Sequence, residues 1–141
     1  MTDSFDFNTL DPDKVIEEAC HLLSTYGWSV GEAARKSTGA PCEWYDKDAQ
    51  SFCALGAIWR AMYNLTPKHI QEQWNSEYER TLNSVSAYIT DSIEESLRVH
   101  YPHSGRCAPS IAEYNDDFAS EVTHVTRLLR DEGDPYQNLI S

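Results

Sequence analysis

Positive charge and long apolar runs are both scarce in this chain of 141 residues. Lysine and arginine together number 11 against 23 aspartates and glutamates, so the formal net charge is −12 at neutral pH. An acidic surface repels phosphate groups, which argues against direct binding to nucleic acid or to anionic membranes. The longest mostly apolar run, over 49–64, is shorter than the roughly 20 residues of a membrane-spanning helix, and Arg60 interrupts it. We therefore expect neither a membrane protein nor a nucleic-acid-binding protein.

Several catalytic signatures are also missing. The chain contains no glycine-rich phosphate loop, no serine-centred nucleophile elbow and no His-Glu-x-x-His motif. Its four cysteines, Cys20, Cys42, Cys53 and Cys107, follow no spacing typical of a disulfide framework. No signal peptide is visible, which favours a cytoplasmic location where these thiols stay reduced. The sequence thus favours a non-enzymatic protein without a cofactor.

Apolar residues recur at helical spacing along most of the chain, whereas no segment shows the sustained alternation of a strand. The stretch 49–64 is apolar or small almost all round, which is typical of a buried helix, and Asp48 is its expected N-cap. We therefore predict an all-α fold, a single compact helical domain of five to seven helices around this buried central helix. The domain is expected to cover 11–133, between an N-terminal tail at 1–10 and a C-terminal tail at 134–141.

Capping residues and helix breakers place the other helices. A first helix is predicted from Asp11-Pro12 to Gly27, and a short second helix over about 30–37. Further helices are predicted from 66 to about 74, from a capping box at Ser76–Glu79 to about 97, and from about 117 to 131. A second capping box at Ser110–Glu113 opens a short turn. The loop 39–47 could still contain a short pair of strands.

Gly56 lies in the middle of the predicted central helix, where glycine costs about 1 kcal/mol relative to alanine. Ala54, Ala57 and Ala61 lie nearby in the sequence. We interpret these small residues as a strip along which another helix packs closely. On this interpretation a large side chain at position 56 would be poorly tolerated.

Three short motifs resemble a known family. They are Gly27-Trp28-Ser29-Val30-Gly31 with Ala34-Arg35, then Cys53-Ala54-Leu55-Gly56-Ala57-Ile58, and finally Tyr114-Asn115-Asp116 ahead of an amphipathic helix. Together they resemble a family of small phage, prophage and bacterial proteins of unknown function, whose pattern is Trp-x-x-Gly, Cys-x-x-Gly-Ala and Trp-Asn-Asp. Tyr114 stands where tryptophan is usual, and 66–100 is longer than expected for the family. The resemblance implies a phage-linked context and no mechanism.

One candidate site is a pocket formed by Trp28, Cys53, Asn115 and Asp116. These residues are expected to converge if the second and last helices begin beside the first turn of the central helix. Cys53 could then act as a nucleophile, but it would need a neighbouring imidazole, which the sequence does not place. Capping and turn roles also explain Asn115 and Asp116, and a cysteine among apolar residues is usually inert. A small-ligand site or a hydrolase-like enzyme here is our alternative function.

The acidic helices of 71–100 and the aromatic loop 42–46 favour a different function, protein–protein binding. The candidate partner-binding residues are Trp44, Tyr45, Asp91, Glu94 and Glu95. The two loop aromatics would either anchor a partner or cover the core. In its sharpest form the hypothesis is that the protein inhibits a nucleic-acid-handling host or defence protein by charge mimicry. Both a monomer and a homodimer are compatible with the sequence.

A zinc site is only weakly indicated. The weak candidates His100, His103 and Cys107 lie within eight residues of one another, and Cys42 or His69 is a conceivable fourth ligand. Their spacing matches no standard pair of ligand clusters. No metal is therefore expected.

Overall fold

The computed structural model describes residues 5–100 and 110–130, without the side chains of 96–100 and 118. This part of the chain contains six α-helices and a two-stranded sheet. In chain order they are α1 (Pro12–Thr25), β1 (Ala34–Lys36), β2 (Ala49–Phe52), α2 (Ala54–Asn64), α3 (Lys68–Glu72), α4 (Ser76–His100), α5 (Ile111–Glu113) and α6 (Val122–Leu129). A 3-10 turn over Phe7–Thr9 precedes α1, and a π-helical turn over Tyr114–Phe118 follows α5.

Helices α1 and α2 form the centre of the core. Helix α1 begins as predicted, because Asp11 Oδ1 accepts a hydrogen bond from Asp13 N at 3.0 Å and Pro12 occupies the first turn. Its buried face packs on α2, and α6 packs on the outer side of α1 while α4 packs on α2. In α2, Ile58 and Met62 are fully buried. The prediction of a buried central helix is confirmed for Ala54–Asn64.

The all-α prediction is corrected by the small antiparallel sheet of β1 and β2. Ala34 lies opposite Phe52 and Arg35 opposite Ser51, with an irregularity between Arg35 and Lys36. The segment predicted as a second helix over 30–37 therefore consists of bends and β1, because β2 supplies its hydrogen-bond partners. The expected strand pair does exist, but its strands flank the loop 39–47.

This sheet also shifts the start of the central helix. Residues 49–52 form β2, so α2 begins at Ala54, and its N-cap is Cys53 instead of Asp48. Cys53 Sγ accepts a hydrogen bond from Gly56 N at 3.3 Å. Asp48 lies in a turn, where its own N–H donates to Asp46 Oδ1 at 2.8 Å.

Two later helix starts also differ from prediction, while one agrees. Asn75 Oδ1, and not Ser76, accepts from the first amides of α4. Helix α6 starts at Val122 because the preceding turn is π-helical. The box at Ser110–Glu113 is confirmed, since Ser110 Oγ accepts from Glu113 N at 3.2 Å.

The domain boundary at residue 11 stays a prediction, but part of the expected N-terminal tail contributes to the core. Phe7 is 1% exposed, and its ring lies edge-on to that of Trp74 with 6.1 Å between centroids. Within the described ranges no helix combines the length and the apolar character needed to cross a bilayer.

The neighbour of Gly56 is the bend before β1 and not another helix. A Cβ atom at position 56 would lie 2.0 Å from the carbonyl oxygen of Ala33. That oxygen also accepts a hydrogen bond from Cys53 N at 3.1 Å, so it cannot move without breaking the junction between β2 and α2.

We therefore expect Gly56→Ala to lower the free energy of unfolding by about 2 kcal/mol or more, as overpacking against a rigid neighbour does. Helix propensity alone predicts the opposite sign. Urea unfolding followed by circular dichroism measures the difference. Ser84→Ala, at an exposed position in α4, is the control and should leave stability nearly unchanged. Equal stabilities of Gly56→Ala and wild type would contradict the contact.

Candidate functional site

The predicted pocket residues do converge in the structure, and Asn115 lies at their centre. Its Oδ1 accepts hydrogen bonds from Trp28 Nε1 at 2.7 Å and from Ala54 N at 2.9 Å. Its Nδ2 donates to the carbonyl oxygen of Ser29 at 3.1 Å and to Asp116 Oδ1 at 2.9 Å. One side chain thus joins the segment after α1, the first turn of α2 and the π-helical turn.

The local sequence explains why Asn115 reaches this position. Ser110 caps α5, and the fully buried Tyr114 anchors the turn that follows it. Ala119 N then bonds Tyr114 O at 2.8 Å across the wider π-helical turn. Asp116 was expected to cap the last helix, but it does not. Its Oδ1 instead accepts a hydrogen bond from Gly31 N at 3.0 Å, and Gly31 has a φ of +87°.

The geometry leaves Asn115 no capacity for a ligand. A carboxamide has two N–H donors and an oxygen that accepts about two hydrogen bonds, and all of these are used. Asn115 is also only 1% exposed. Because Ala54 N is one of the open amides at the start of α2, the arrangement is a cap supplied from 61 residues away in the sequence.

Cys53 shows no sign of activation as a nucleophile. Burial raises the pKa of its thiol above the ordinary value, although the hydrogen bond from Gly56 N acts in the opposite direction. In the described part of the chain no histidine is hydrogen-bonded to Cys53. His21 bonds Thr25 and His124 bonds Ser120 instead. The thiol therefore caps α2 as a neutral group.

The described residues contain no group of three histidine, cysteine or acidic side chains able to hold a metal ion. His103 and Cys107 lie outside the described residues, and so does the side chain of His100. The zinc candidates are therefore not tested.

Trp44 does not serve as an exposed anchor. It is 3% exposed, and its ring contacts those of four other aromatic residues. These are Tyr45, Trp59, Tyr63 and Trp74, at centroid distances of 5.0, 6.4, 6.1 and 5.9 Å. Of the two roles expected for Trp44, anchoring a partner or covering the core, its burial supports the second, because packing so large an aromatic surface against other rings stabilises the core. Tyr45 is half-buried beside it.

The three acidic candidates on α4 differ in their surroundings. Asp91 and Glu95 are exposed. Glu94 is half-buried, and its Oε2 accepts a hydrogen bond from Ile111 N at 2.9 Å, which ties α4 to the start of α5. Glu94 therefore has a structural role in addition to its charge.

Sequence reasoning missed a groove beside α4. A cavity of about 570 Å³ lies between α1, α4 and the end of α6, and a second of about 210 Å³ continues it toward the 3-10 turn. Both are lined by Pro12, Tyr88 and Ile89, and Tyr88 is 77% exposed. The signal in the sequence was a tyrosine just outside the apolar stripe of an amphipathic helix.

The hydrogen bonds of Asn115 yield a stability prediction. Asn115→Ala would strand Ala54 N and the Ser29 carbonyl, so the free energy of unfolding should fall by about 3 kcal/mol. Urea unfolding measures the change. Asn83→Ala, at an exposed position of α4, is the matched control and should cost almost nothing. A similar small loss in both variants would show that Asn115 is not a structural centre.

The raised pKa of Cys53 predicts slow alkylation. Near pH 7 iodoacetamide should modify Cys53 at least tenfold more slowly in the folded protein than in the urea-unfolded chain. The reason is that the folded protein contains less Cys53 thiolate and restricts access to it. Peptide mass mapping over time follows each cysteine separately. If Cys53 is alkylated faster in the folded protein than in the unfolded chain, the result would support the hypothesis that Cys53 is a nucleophile.

Comparison with known proteins supplies a family for the chain and no function. No curated protein and no solved structure shows significant similarity to the chain. The model of a family of unknown function, DUF6197, matches residues 8–132. The resemblance noted in the sequence is confirmed at this level, while the phage origin and the family motifs stay predictions. Because the match covers most of its length, the chain belongs to the family of unknown function DUF6197.

Proposed function

We propose that this protein is a non-enzymatic binding protein that holds a basic protein partner in the groove between α1 and α4. The observation that carries the proposal is Tyr88, a large aromatic side chain that is 77% exposed where two apolar cavities meet. Exposed tyrosines flanked by apolar hollows are typical centres of protein interfaces.

The shape of the groove suits a protruding apolar segment. Apolar side chains line its larger cavity: Pro12, Ile16, Ile89, Ile93 and Leu129. Phe7, Leu10, Met62 and Val85 line the adjoining cavity. Concave apolar surfaces with a few polar groups at the edge are the usual form of a binding site. A partner helix or loop could therefore place one or two apolar side chains on either side of Tyr88.

The charge around the groove selects a basic partner. Asp13 and Glu17 line it, and Asp91 follows Tyr88 by one helical turn. Arg130 also lines the groove, and its Nε lies 3.1 Å from Glu17 Oε1, so these two charges largely offset each other and Asp13 and Asp91 leave the rim acidic. With a net charge of −12 on the chain, such a rim would attract a partner carrying lysine and arginine.

In its most specific form, the proposal is that the partner is a basic protein that handles nucleic acid. The acidic excess of the chain supports it, and so would the phage-linked context that the motifs predict. The acidic rim would then occupy a groove that normally binds phosphates. The alternative function at Trp28, Cys53, Asn115 and Asp116 is not favoured, because the amide of Asn115 is saturated and the Cys53 thiol is not activated.

The proposal predicts a partner that is captured from one face only. A photoreactive phenylalanine placed at position 88 in cells that make the protein should crosslink a basic protein. The same residue at position 26, where Tyr26 is 54% exposed away from the groove, is the control. Equal capture from both positions would argue against a binding face at Tyr88.

Affinity measurements with the purified partner then test the two parts of the mechanism. Tyr88→Ala should weaken binding about 30-fold or more, and Asp91→Lys several-fold. Glu72→Lys, an exposed charge reversal on α3, should change little. The dissociation constant should rise steeply with salt, and an oligonucleotide should compete if the partner binds nucleic acid. Salt-independent binding would rule out the electrostatic part.

A further inference from the structure

Arg60, on α2, is held in one orientation by its surroundings. Its Nη1 donates hydrogen bonds to the carbonyl oxygens of Trp44 at 3.0 Å and Asp46 at 2.8 Å, and its Nε donates to Asn64 Oδ1 at 3.1 Å. The rings of Phe52 and Tyr63 lie 5.9 and 5.5 Å from the guanidinium carbon. A group that is already ordered loses little entropy when it binds a ligand.

The fixed guanidinium retains donors that the protein does not use. A guanidinium has five N–H groups, and the bonds above occupy three of them. Within the described residues Nη2 donates no hydrogen bond, and no carboxylate forms an ion pair with Arg60. Burial lowers the pKa of Arg60 below its ordinary value, although nearby groups, Asp46 among them, act in the opposite direction.

A small cavity lies next to this group. Its volume is about 90 Å³. Its lining includes Tyr26, Lys47, Gln50, Phe52, Arg60 and Asn64. Asn64 accepts a hydrogen bond from Arg60 through its amide oxygen, and among the described residues neither N–H group of its amide donates one. Lys47 and Gln50 are exposed at the rim and add further donors. The side chains around the cavity thus offer several N–H donors together with two cationic groups, Arg60 and Lys47.

We propose that this cavity binds a small oxyanion, either inorganic phosphate or the carboxylate or phosphate group of a small molecule. Arg60 Nη2 and the Lys47 ammonium group supply the charge, and the amides of Asn64 and Gln50 supply neutral hydrogen bonds. A guanidinium presents paired N–H groups that match two oxygens of such a group. The cavity shares no lining residue with the groove at Tyr88, so the two proposals are independent.

Two features of the surroundings oppose an anion and make Lys47 necessary. The last turns of α1 and α2 contribute residues to the lining of the cavity, and the C-terminal end of a helix carries a partial negative charge. The Asp46 carboxylate is also close enough to act on Arg60. These groups would compensate part of the charge of Arg60. Binding therefore depends on the second cation, Lys47, which is exposed and forms no ion pair among the described residues.

The test is a titration of the full, isotope-labelled chain with inorganic phosphate at constant ionic strength, followed by NMR. We expect saturable shifts confined to Arg60 Nε–H and to the side-chain amides of Asn64 and Gln50. A parallel titration with acetate distinguishes a carboxylate from a phosphate ligand, and saturation with either supports the site. Absence of saturation with both would overturn it.

Lys47→Ala gives the matched test of the second cation. This exposed lysine forms no described side-chain hydrogen bond, so the variant should fold normally, and its phosphate dissociation constant should rise at least fivefold. Lys68→Ala, at an exposed lysine of α3 outside the cavity, should bind as the wild type does. Equal effects of the two substitutions would reduce the observation to general charge attraction and overturn the proposal.

Discussion

The four hydrogen bonds of Asn115 hold together segments that no local interaction would join. Trp28 and Ser29 follow α1, Ala54 opens α2, and Asn115 itself belongs to the turn before α6. A buried carboxamide without partners is costly, so each segment must stay in place for the others to be tolerated. The packing of α1 on α2 therefore depends on a polar contact as well as on apolar burial.

Ala33 also contacts the start of α2. The carbonyl oxygen of Ala33 accepts from Cys53 N and lies directly over Gly56, which leaves no room for a side chain. Cys53 completes the junction by capping α2. Residues of the three short motifs thus meet where β2 joins α2, and their contacts there are structural. The binding surface that we propose lies on another face, where Tyr88 is exposed.

Sequence reasoning succeeded where the cause of a structure is local. Asp11-Pro12 and Ser110–Glu113 start helices through contacts within one turn, and their patterns were sufficient. It failed for β1 and β2, because their hydrogen bonds join segments about 15 residues apart, and the apolar character of 49–52 fits a helix equally well. For the candidate site, convergence around Asn115 could be predicted from helix starts. Its saturation could not, since that depends on which atoms lie within 3 Å of one another.

The burial of the loop aromatic Trp44 also could not be predicted from the sequence. Nothing in the local pattern around Trp44 shows that four other rings surround it, because only Tyr45 is its neighbour in sequence and the other three rings come from α2 and from position 74. The exposure of Tyr88 is the converse case. Both residues lie beside apolar neighbours in the sequence, and only the packing of α1 and α4 decides which ring faces water.

Acidic and basic residues are unevenly distributed along the chain, and so the surface has more acidic and less acidic parts. Residues 26–70 carry five of the 11 basic side chains and only four of the 23 acids, so the sheet and α2 form the least acidic part of the molecule. Arg60 and Lys47 both belong to it. A free anion approaching a protein of net charge −12 meets repulsion, but salt screens exposed charges beyond about 8–10 Å. Within that distance the local cations decide the outcome, so an acidic protein can attract a basic partner at one face and still hold a small anion at another.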